Sequence, residues 1–186
     1  MNRSGVAAVA ALLGLGAAAA FADVMALDLK TMVQKYADVA VVGTIEGVTY
    51  SERPLDDGSP AAYTNLVVKG ENLYTGKAET VTASFVGGFI GAQRIQSAEE
   101  PSAAETQVGR RVVAFTAPWP SKGNAPPRCL VAQHAGIFLV QPGPKGEVVL
   151  GKGEGFAVPR NLLLAELKTQ AAELWRTRPQ PPKKPN

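Results

Sequence analysis

Alternation of apolar and polar residues dominates the middle of the chain and predicts a series of short β-strands. Residues 38–50 begin with a continuous β-branched and apolar run and then alternate, which predicts a long strand buried first on both faces and then on one. Gly43 and Gly47 lie inside it and indicate bulges or bends of the kind a barrel corner requires. Further strands are predicted over residues 63–69, 79–86, 110–117, 128–132, 136–141 and 147–150.

Helical periodicity flanks this region on both sides. Residues 28–36 predict a short helix with Asp28 at its N-cap or in its first turn. Its expected buried face consists of Leu29, Met32, Val33 and Tyr36. Residues 159–176 predict a longer amphipathic helix that starts at a proline and docks on the sheet. Its apolar stripe consists of Leu163, Leu167, Ala171 and Leu174.

Three connections are long enough to matter for function. Residues 52–60 and 118–127 are rich in proline and are predicted to be loops. Residues 87–109 open on Gly87-Gly88-Phe89 and either lack regular structure or hold one short strand around residues 92–95. Long loops in compact domains are often functional. Binding is therefore expected at the barrel face and at these three loops.

The first residues have the three-part plan of a secretory signal peptide. A single positive charge at Arg3 precedes an apolar run over residues 6–20, and small residues stand at both key positions of a cleavage site between Ala22 and Asp23. The run is shorter than the roughly 20 residues that span a bilayer. We therefore expect residues 1–22 to be a cleaved leader and the mature protein to be periplasmic or secreted, without stable membrane insertion. Residues 23–176 then form one domain, and residues 177–186 a disordered tail rich in proline and lysine.

Charge and cysteine content narrow the function classes. The formal net charge is +3 and falls by one when the leader is removed, which is too little to predict a nucleic-acid partner. Cys129 is the only cysteine, so the chain cannot close an internal disulfide. It is expected either to be buried as a small apolar residue or to pair two chains.

Catalytic and cofactor motifs are missing from the sequence. There is no nucleophile elbow, and His134, the only histidine, lies in an apolar, strand-like context typical of a structural residue. One histidine and one cysteine do not make a zinc site, and the glycines of residues 87–91 lack the remainder of a phosphate-binding loop. The acidic pair Glu99-Glu100 is expected to be solvated in a loop. We therefore predict no catalytic residue, no metal and no cofactor.

The order of the predicted strands resembles that of an uncharacterised group of exported bacterial domains, and more distantly the netrin-like domain of tissue inhibitors of metalloproteinases. The resemblance rests on the strand at residues 38–45, on residues 64–69 and 79–83, on the Val86-Gly87-Gly88 step and on residues 108–115. It implies an OB-like barrel. The animal inhibitors use an N-terminal cysteine and disulfides, which are absent here, so their mechanism is not implied.

The expected fold is therefore mainly β: a small OB-like barrel of five to seven strands with a short N-terminal and an amphipathic C-terminal helix. An open β-sandwich is the alternative. The expected function is that of an exported, non-enzymatic binding module for an unidentified protein or small molecule of the cell envelope. Regulation of an extracellular peptidase and hydrolysis through His134 are the alternatives. Candidate partner-binding residues are Gly87, Gly88, Phe89 and Trp119.

Overall fold

A computed structural model describes residues 26–54, 58–119 and 126–179. The predicted leader, residues 1–22, and the tail from residue 180 onward lie outside these ranges. Within them, no helix combines the length and the apolar character needed to cross a bilayer.

Strands make up most of the described chain. They are β1 (Val39–Pro54), β2 (Pro60–Asn72), β3 (Ala78–Val86), β4 (Gly88–Ile90), β5 (Gln93–Ile95), β6 (Arg111–Pro118), β7 (Arg128–Leu130), β8 (Ile137–Gly143), β9 (Gly146–Val149) and β10 (Leu162–Leu163). Helix α1 is one α-helical turn, Leu29–Thr31, that continues as a π-helical turn, Met32–Tyr36. Helix α2 is Ala103–Thr106, a 3-10 turn spans Gln133–Gly136, and α3 is Leu164–Arg176.

Five strands close into a barrel in the order β1-β2-β3-β7-β6, with β6 pairing back to β1. All neighbours are antiparallel except β3 and β7, which run parallel and meet through the single residue pair Ser84 and Cys129. Strands β8, β9 and β10 extend the sheet from β6, and β4 and β5 form a separate hairpin. The predicted fold class, a mainly β chain with a small barrel and a helix near each end, is confirmed, and the open sandwich is wrong.

The barrel wall is buried on both sides, which explains the continuous apolar start of β1. Val41 and Ile45 point into the barrel interior, where they pack with Leu66 and Phe85. Val42 points to the outer side, which α1 and α3 cover. Each buried side chain of this size contributes about 1.5–3 kcal/mol to folding. The two helices therefore cover an outer apolar layer that the barrel leaves on one flank.

The N-terminal helix follows its prediction except at one position. The Asp28 carboxylate accepts a hydrogen bond from the Thr31 amide at 2.9 Å, as an N-cap does. Met32 and Val33 are fully buried, whereas Tyr36 is 50% exposed. The π-helical turn changes the angular spacing of its residues, so an α-helical projection assigns Tyr36 to the wrong face.

The C-terminal helix begins five residues later than predicted, at Leu164 instead of Pro159. Leu162 and Leu163 pair with Val149 and Val148 as strand β10. The sheet edge thus determines the conformation of Leu163, the first residue of the predicted helical stripe, and of its neighbour Leu162. Leu167 and Ala171 lie in the core as expected.

The connections are more ordered than their composition suggests. Both ends of the predicted loop at residues 52–60 belong to paired strands, since β1 continues to Pro54 and β2 starts at Pro60, while residues 55–57 lie outside the described ranges. The strand expected around residues 92–95 is confirmed as β5, and residues 87–109 also hold β4 and α2. His134 lies in the 3-10 turn and not in a strand.

Candidate functional site

A groove opens where β1 and β6 part. The last residue pair between them is Thr44 with Arg111, after which β1 continues to Pro54 paired only with β2 among the described strands. On the other side the chain leads from β6 back through Gly109 towards α2. The space between these segments has a volume of about 590 Å³ and continues the barrel interior outward.

Every element around this opening contributes to the lining. The floor is formed by inward-facing side chains of the first three strands, and the walls by the β4–β5 hairpin and by the segment that carries α2. The lining residues are Val48, Tyr50, Thr64, Phe85, Phe89, Arg94, Gln96, Glu100, Pro101, Ser102, Ala103, Thr106, Gln107 and Val108. The set combines exposed apolar groups with amides and one ion pair.

Two aromatic rings form one rim of the groove. The rings of Tyr50 and Phe89 meet edge to face with centroids 4.9 Å apart, yet the residues remain 51% and 37% exposed. Gly88 makes this contact possible, because a Cβ there would lie 3.1 Å from the Tyr50 ring and 3.2 Å from the Thr64 hydroxyl. Its φ of +142° also disfavours any other residue. The rings thus present apolar surface to solvent at the mouth.

An ion pair forms the adjoining wall. The Arg94 guanidinium lies over the Phe89 ring, 5.5 Å from its centroid, and donates to Oε1 of Glu100. The Glu100 side chain is only 9% exposed, and its other oxygen, Oε2, has no hydrogen-bond partner among the described residues. The prediction that Glu99-Glu100 is a solvated acidic pair is therefore wrong for Glu100. Folding of the loop against Gly87 buries this carboxylate.

Helix α2 is fixed behind the groove by a buried carboxylate. Oε2 of Glu105 accepts hydrogen bonds from the amide and hydroxyl of Ser102, at 2.9 and 2.8 Å, which completes a capping box. Oε1 of Glu105 lies 2.5 Å from the Lys152 ammonium. The ammonium also donates to the His134 carbonyl oxygen at 2.5 Å. A turn of only four residues is thus tied to the loop after β9 and to the 3-10 turn.

Burial weakens the charged forms of two groups in this cluster. Desolvation lowers the pKa of His134, and the nearby Lys152 charge lowers it further, while Glu105 partly opposes both. Burial likewise lowers the pKa of Lys152, with Glu105 acting in the opposite direction. The imidazole Nδ1 lies 3.2 Å from the Lys152 ammonium and 3.6 Å from Glu105. The neutral imidazole therefore suits this site best.

The cluster does not have the geometry of a hydrolytic triad. A triad places the imidazole between the serine and the acid, so that it can take the hydroxyl proton. Here Glu105 lies between Ser102 and His134, and its Oε2 accepts the hydrogen bond from the Ser102 hydroxyl. A structural role for His134, as the sequence predicts, agrees with these contacts.

The four candidate residues from the sequence lie at two separate places. Gly87, Gly88 and Phe89 lie at the groove, where Gly87 faces Glu100. The Trp119 ring packs edge to face on Tyr63, at 5.3 Å between centroids. Tyr63 and the groove residue Thr64 are consecutive in β2, so they point to opposite faces of the sheet. Trp119 therefore does not belong to the groove.

Sequence reasoning missed Tyr50, Arg94 and Glu100. Tyr50 is the last residue of a predicted strand. An aromatic residue at that position could have been recognised as a candidate binding residue. Arg94 and Glu100 lie in a stretch without clear periodicity, so only the folded loop brings them together.

Two further observations limit the chemistry. No cluster of His, Cys, Asp or Glu suited to hold a metal ion occurs within the described ranges. Cys129 is a half-buried free thiol. Burial raises its pKa, and its sulfur lies 3.7 Å from the Ala117 carbonyl oxygen.

Comparison of the chain with known protein families, curated proteins and solved structures finds no match.

Proposed function

We propose that this protein is an exported, non-enzymatic binding module and that its ligand is an extended polypeptide segment held in the groove beside β1. The observation that carries the proposal is the second edge of β1 beside Val48 and Tyr50, which borders the groove and pairs with no strand among the described residues once Ile45 has bonded to Gly109 and Arg110.

A free strand edge favours a polypeptide ligand over a compact small molecule. Backbone groups along such an edge form hydrogen bonds with any added strand and so supply affinity without regard to sequence. Alternate side chains of that strand then point to one face of the sheet. At β1 this face is the groove, so every second side chain of the ligand would enter it.

The lining gives those side chains suitable contacts. Tyr50, Phe89 and Val108 are exposed apolar residues at the mouth, and Val108 is 61% exposed. Aromatic residues are common among the few residues that contribute most of the binding free energy at an interface. The expected ligand therefore has apolar or aromatic groups among the side chains that enter the groove.

Selection from a displayed library of random nine-residue peptides, using the mature protein as bait, tests this proposal. We expect selected peptides to alternate in polarity, and binding to fall about tenfold or more in Tyr50→Ala and Phe89→Ala, as for hot-spot residues. Tyr36→Ala is the matched control, because Tyr36 is equally exposed, at 50%, but belongs to α1.

The circular dichroism spectrum and unfolding midpoint of each variant show whether it has folded. If no peptide is enriched, or if Tyr36→Ala weakens binding as much as Tyr50→Ala does, the groove is not the site and the proposal is wrong.

A further inference from the structure

Glu100 is the most unusual polar group of the groove. Its side chain is 9% exposed, Oε1 accepts from Arg94, and Oε2 has no hydrogen-bond partner among the described residues. An ionised carboxylate accepts several hydrogen bonds, and leaving one oxygen buried without a donor is unfavourable. Oε2 therefore keeps the capacity to accept a further hydrogen bond.

The surroundings of Glu100 suit a cation. The Phe89 ring presents its face to a guanidinium 5.5 Å away, and Tyr50 contacts the same ring from the side. An aromatic face beside a carboxylate binds guanidinium and ammonium groups through cation–π attraction and charge-assisted hydrogen bonds. In the free protein the cation at this place is Arg94, which is itself 43% exposed.

Resting on the proposed function, we propose that Glu100, Phe89 and Tyr50 form a subsite for a guanidinium or primary ammonium group of the ligand, whose place Arg94 takes in the free protein. An arginine or lysine side chain of the bound segment supplies the group. Arg94 can be displaced because its own side chain is 43% exposed and can return to water, while the cation of the ligand takes over the pairing with the Glu100 carboxylate. A ligand without a cation leaves Arg94 on Glu100 and gains no charge-assisted hydrogen bond there, so the subsite favours cationic ligands.

Gly87 supports this assignment through the space it leaves. A Cβ at Gly87 would lie 3.0 Å from Oε2 of Glu100 and 3.6 Å from the carbonyl oxygen of Ile95. Both acceptors thus lie close to the Gly87 backbone, an approach that a residue without a side chain allows. Any larger residue at Gly87 would press on the carboxylate.

The test uses a fluorescent peptide in which threonine and valine alternate around a central arginine. Its partner probe has citrulline at that position, which keeps the shape and removes the charge. Argininamide is added as a competitor, and it shows whether a free small cation binds the subsite as well as an arginine side chain within a peptide does. We expect the arginine peptide to bind at least about tenfold more tightly than the citrulline peptide, as charge-assisted hydrogen bonds imply.

Three variants give effects of different sign. Glu100→Gln should remove the preference for arginine over citrulline. Arg94→Gln should raise the affinity of the arginine peptide severalfold, because a competing like charge is lost. Arg128→Gln is the matched control: it breaks the Arg128–Asp38 pair, whose side chains are 24% and 37% exposed and which lies at the start of β1, at the opposite end of that strand from Tyr50. It should leave both affinities unchanged.

The outcomes separate this inference from the proposed function. Equal, Tyr50-dependent binding of the two peptides overturns the cation subsite and leaves the groove as a polypeptide site. Argininamide that binds in a Glu100-dependent manner, with no binding of either peptide, supports the subsite and overturns the polypeptide proposal. Absence of all binding overturns both.

Discussion

Gly43 lies directly opposite Gly70 in the β1–β2 pair, and neither position has space for a side chain. A Cβ on Gly43 would run into the Lys69 carbonyl, and a Cβ on Gly70 into the Val42 carbonyl. The two backbones therefore approach more closely here than side chains permit. The approach precedes the bulge between Ile45 and Gly47, so the strand bends at the point where it leaves the barrel wall.

Gly70→Ala is expected to destabilise the protein by at least about 3 kcal/mol, the upper range for overpacking, because the clash is with backbone atoms that cannot rotate away. Urea unfolding followed by circular dichroism measures the change. Gly47→Ala is the control in the adjoining strand, since its Cβ would meet only the Val67 side chain at 3.8 Å. Equal losses of stability in both variants would contradict the close approach of the two backbones at Gly43 and Gly70.

Stability should fall as the pH is lowered through 6.5. Burial and the Lys152 charge lower the pKa of His134 in the folded protein, so the unfolded chain binds the proton more readily. The contribution of the neutral imidazole is complete above the unfolded pKa and is lost between that value and the lower folded one. Because His134 is the only histidine, few other groups titrate in this window.

Urea unfolding of the native protein and of His134→Gln between pH 5 and pH 8 checks this sign. The native protein should lose stability on acidification, and the variant should lose less. A variant that shows the same slope would place the titrating group elsewhere.

Lys152→Met should cost about 3–5 kcal/mol, because it leaves the buried Glu105 carboxylate without its cation. Adding Glu105→Gln should recover part of the loss, since glutamine keeps an acceptor for Ser102 and removes the unpaired charge. The double variant is thus expected to be more stable than Lys152→Met alone. Thermal unfolding of the three proteins decides the order, and the opposite order would show that the charge itself is not the cause.

The stack of Tyr74 on Trp175 should couple the barrel to α3. Their rings are nearly parallel, at 6°, with centroids 4.3 Å apart, and Arg178 covers the other face of Trp175 at 4.1 Å. A double-mutant cycle of Tyr74→Leu and Trp175→Leu is expected to give a coupling of about 0.5–1.5 kcal/mol. The edge-to-face contact of Tyr63 with Trp119 serves as a second cycle. Strictly additive losses at Tyr74 and Trp175 would mean that the stack contributes only burial.

Strand periodicity predicted most of the barrel because each strand has one face that must be buried. The alternation at Val81, Ala83 and Phe85, for example, gives both the strand and its inward face. The start of α3 was misplaced because Leu163 fits the apolar stripe of the helix, and only the pairing of Leu162 and Leu163 with β9 shows that both belong to a strand. The family resemblance stays a prediction.

The candidate site was only partly accessible to sequence reasoning. Glycines at residues 87 and 88 indicated unusual backbone, and Phe89 indicated a binding residue. Burial of Glu100, in contrast, depends on a loop folding against another loop, and no local pattern records such a contact. The exclusion of Trp119 from the groove depends on which face of β2 it covers.

The barrel is closed between β3 and β7 by one residue pair, which is the shortest strand pairing in the ring. The other strand pairs of the ring are longer, and β1, β2 and β3 follow one another through short connections. During folding, β1, β2 and β3 can therefore pair first as a local meander, and β7, which lies far along the chain, pairs with β3 later. Transient opening should therefore begin between β3 and β7 and expose the Cys129 thiol, while the other strand pairs of the barrel stay formed.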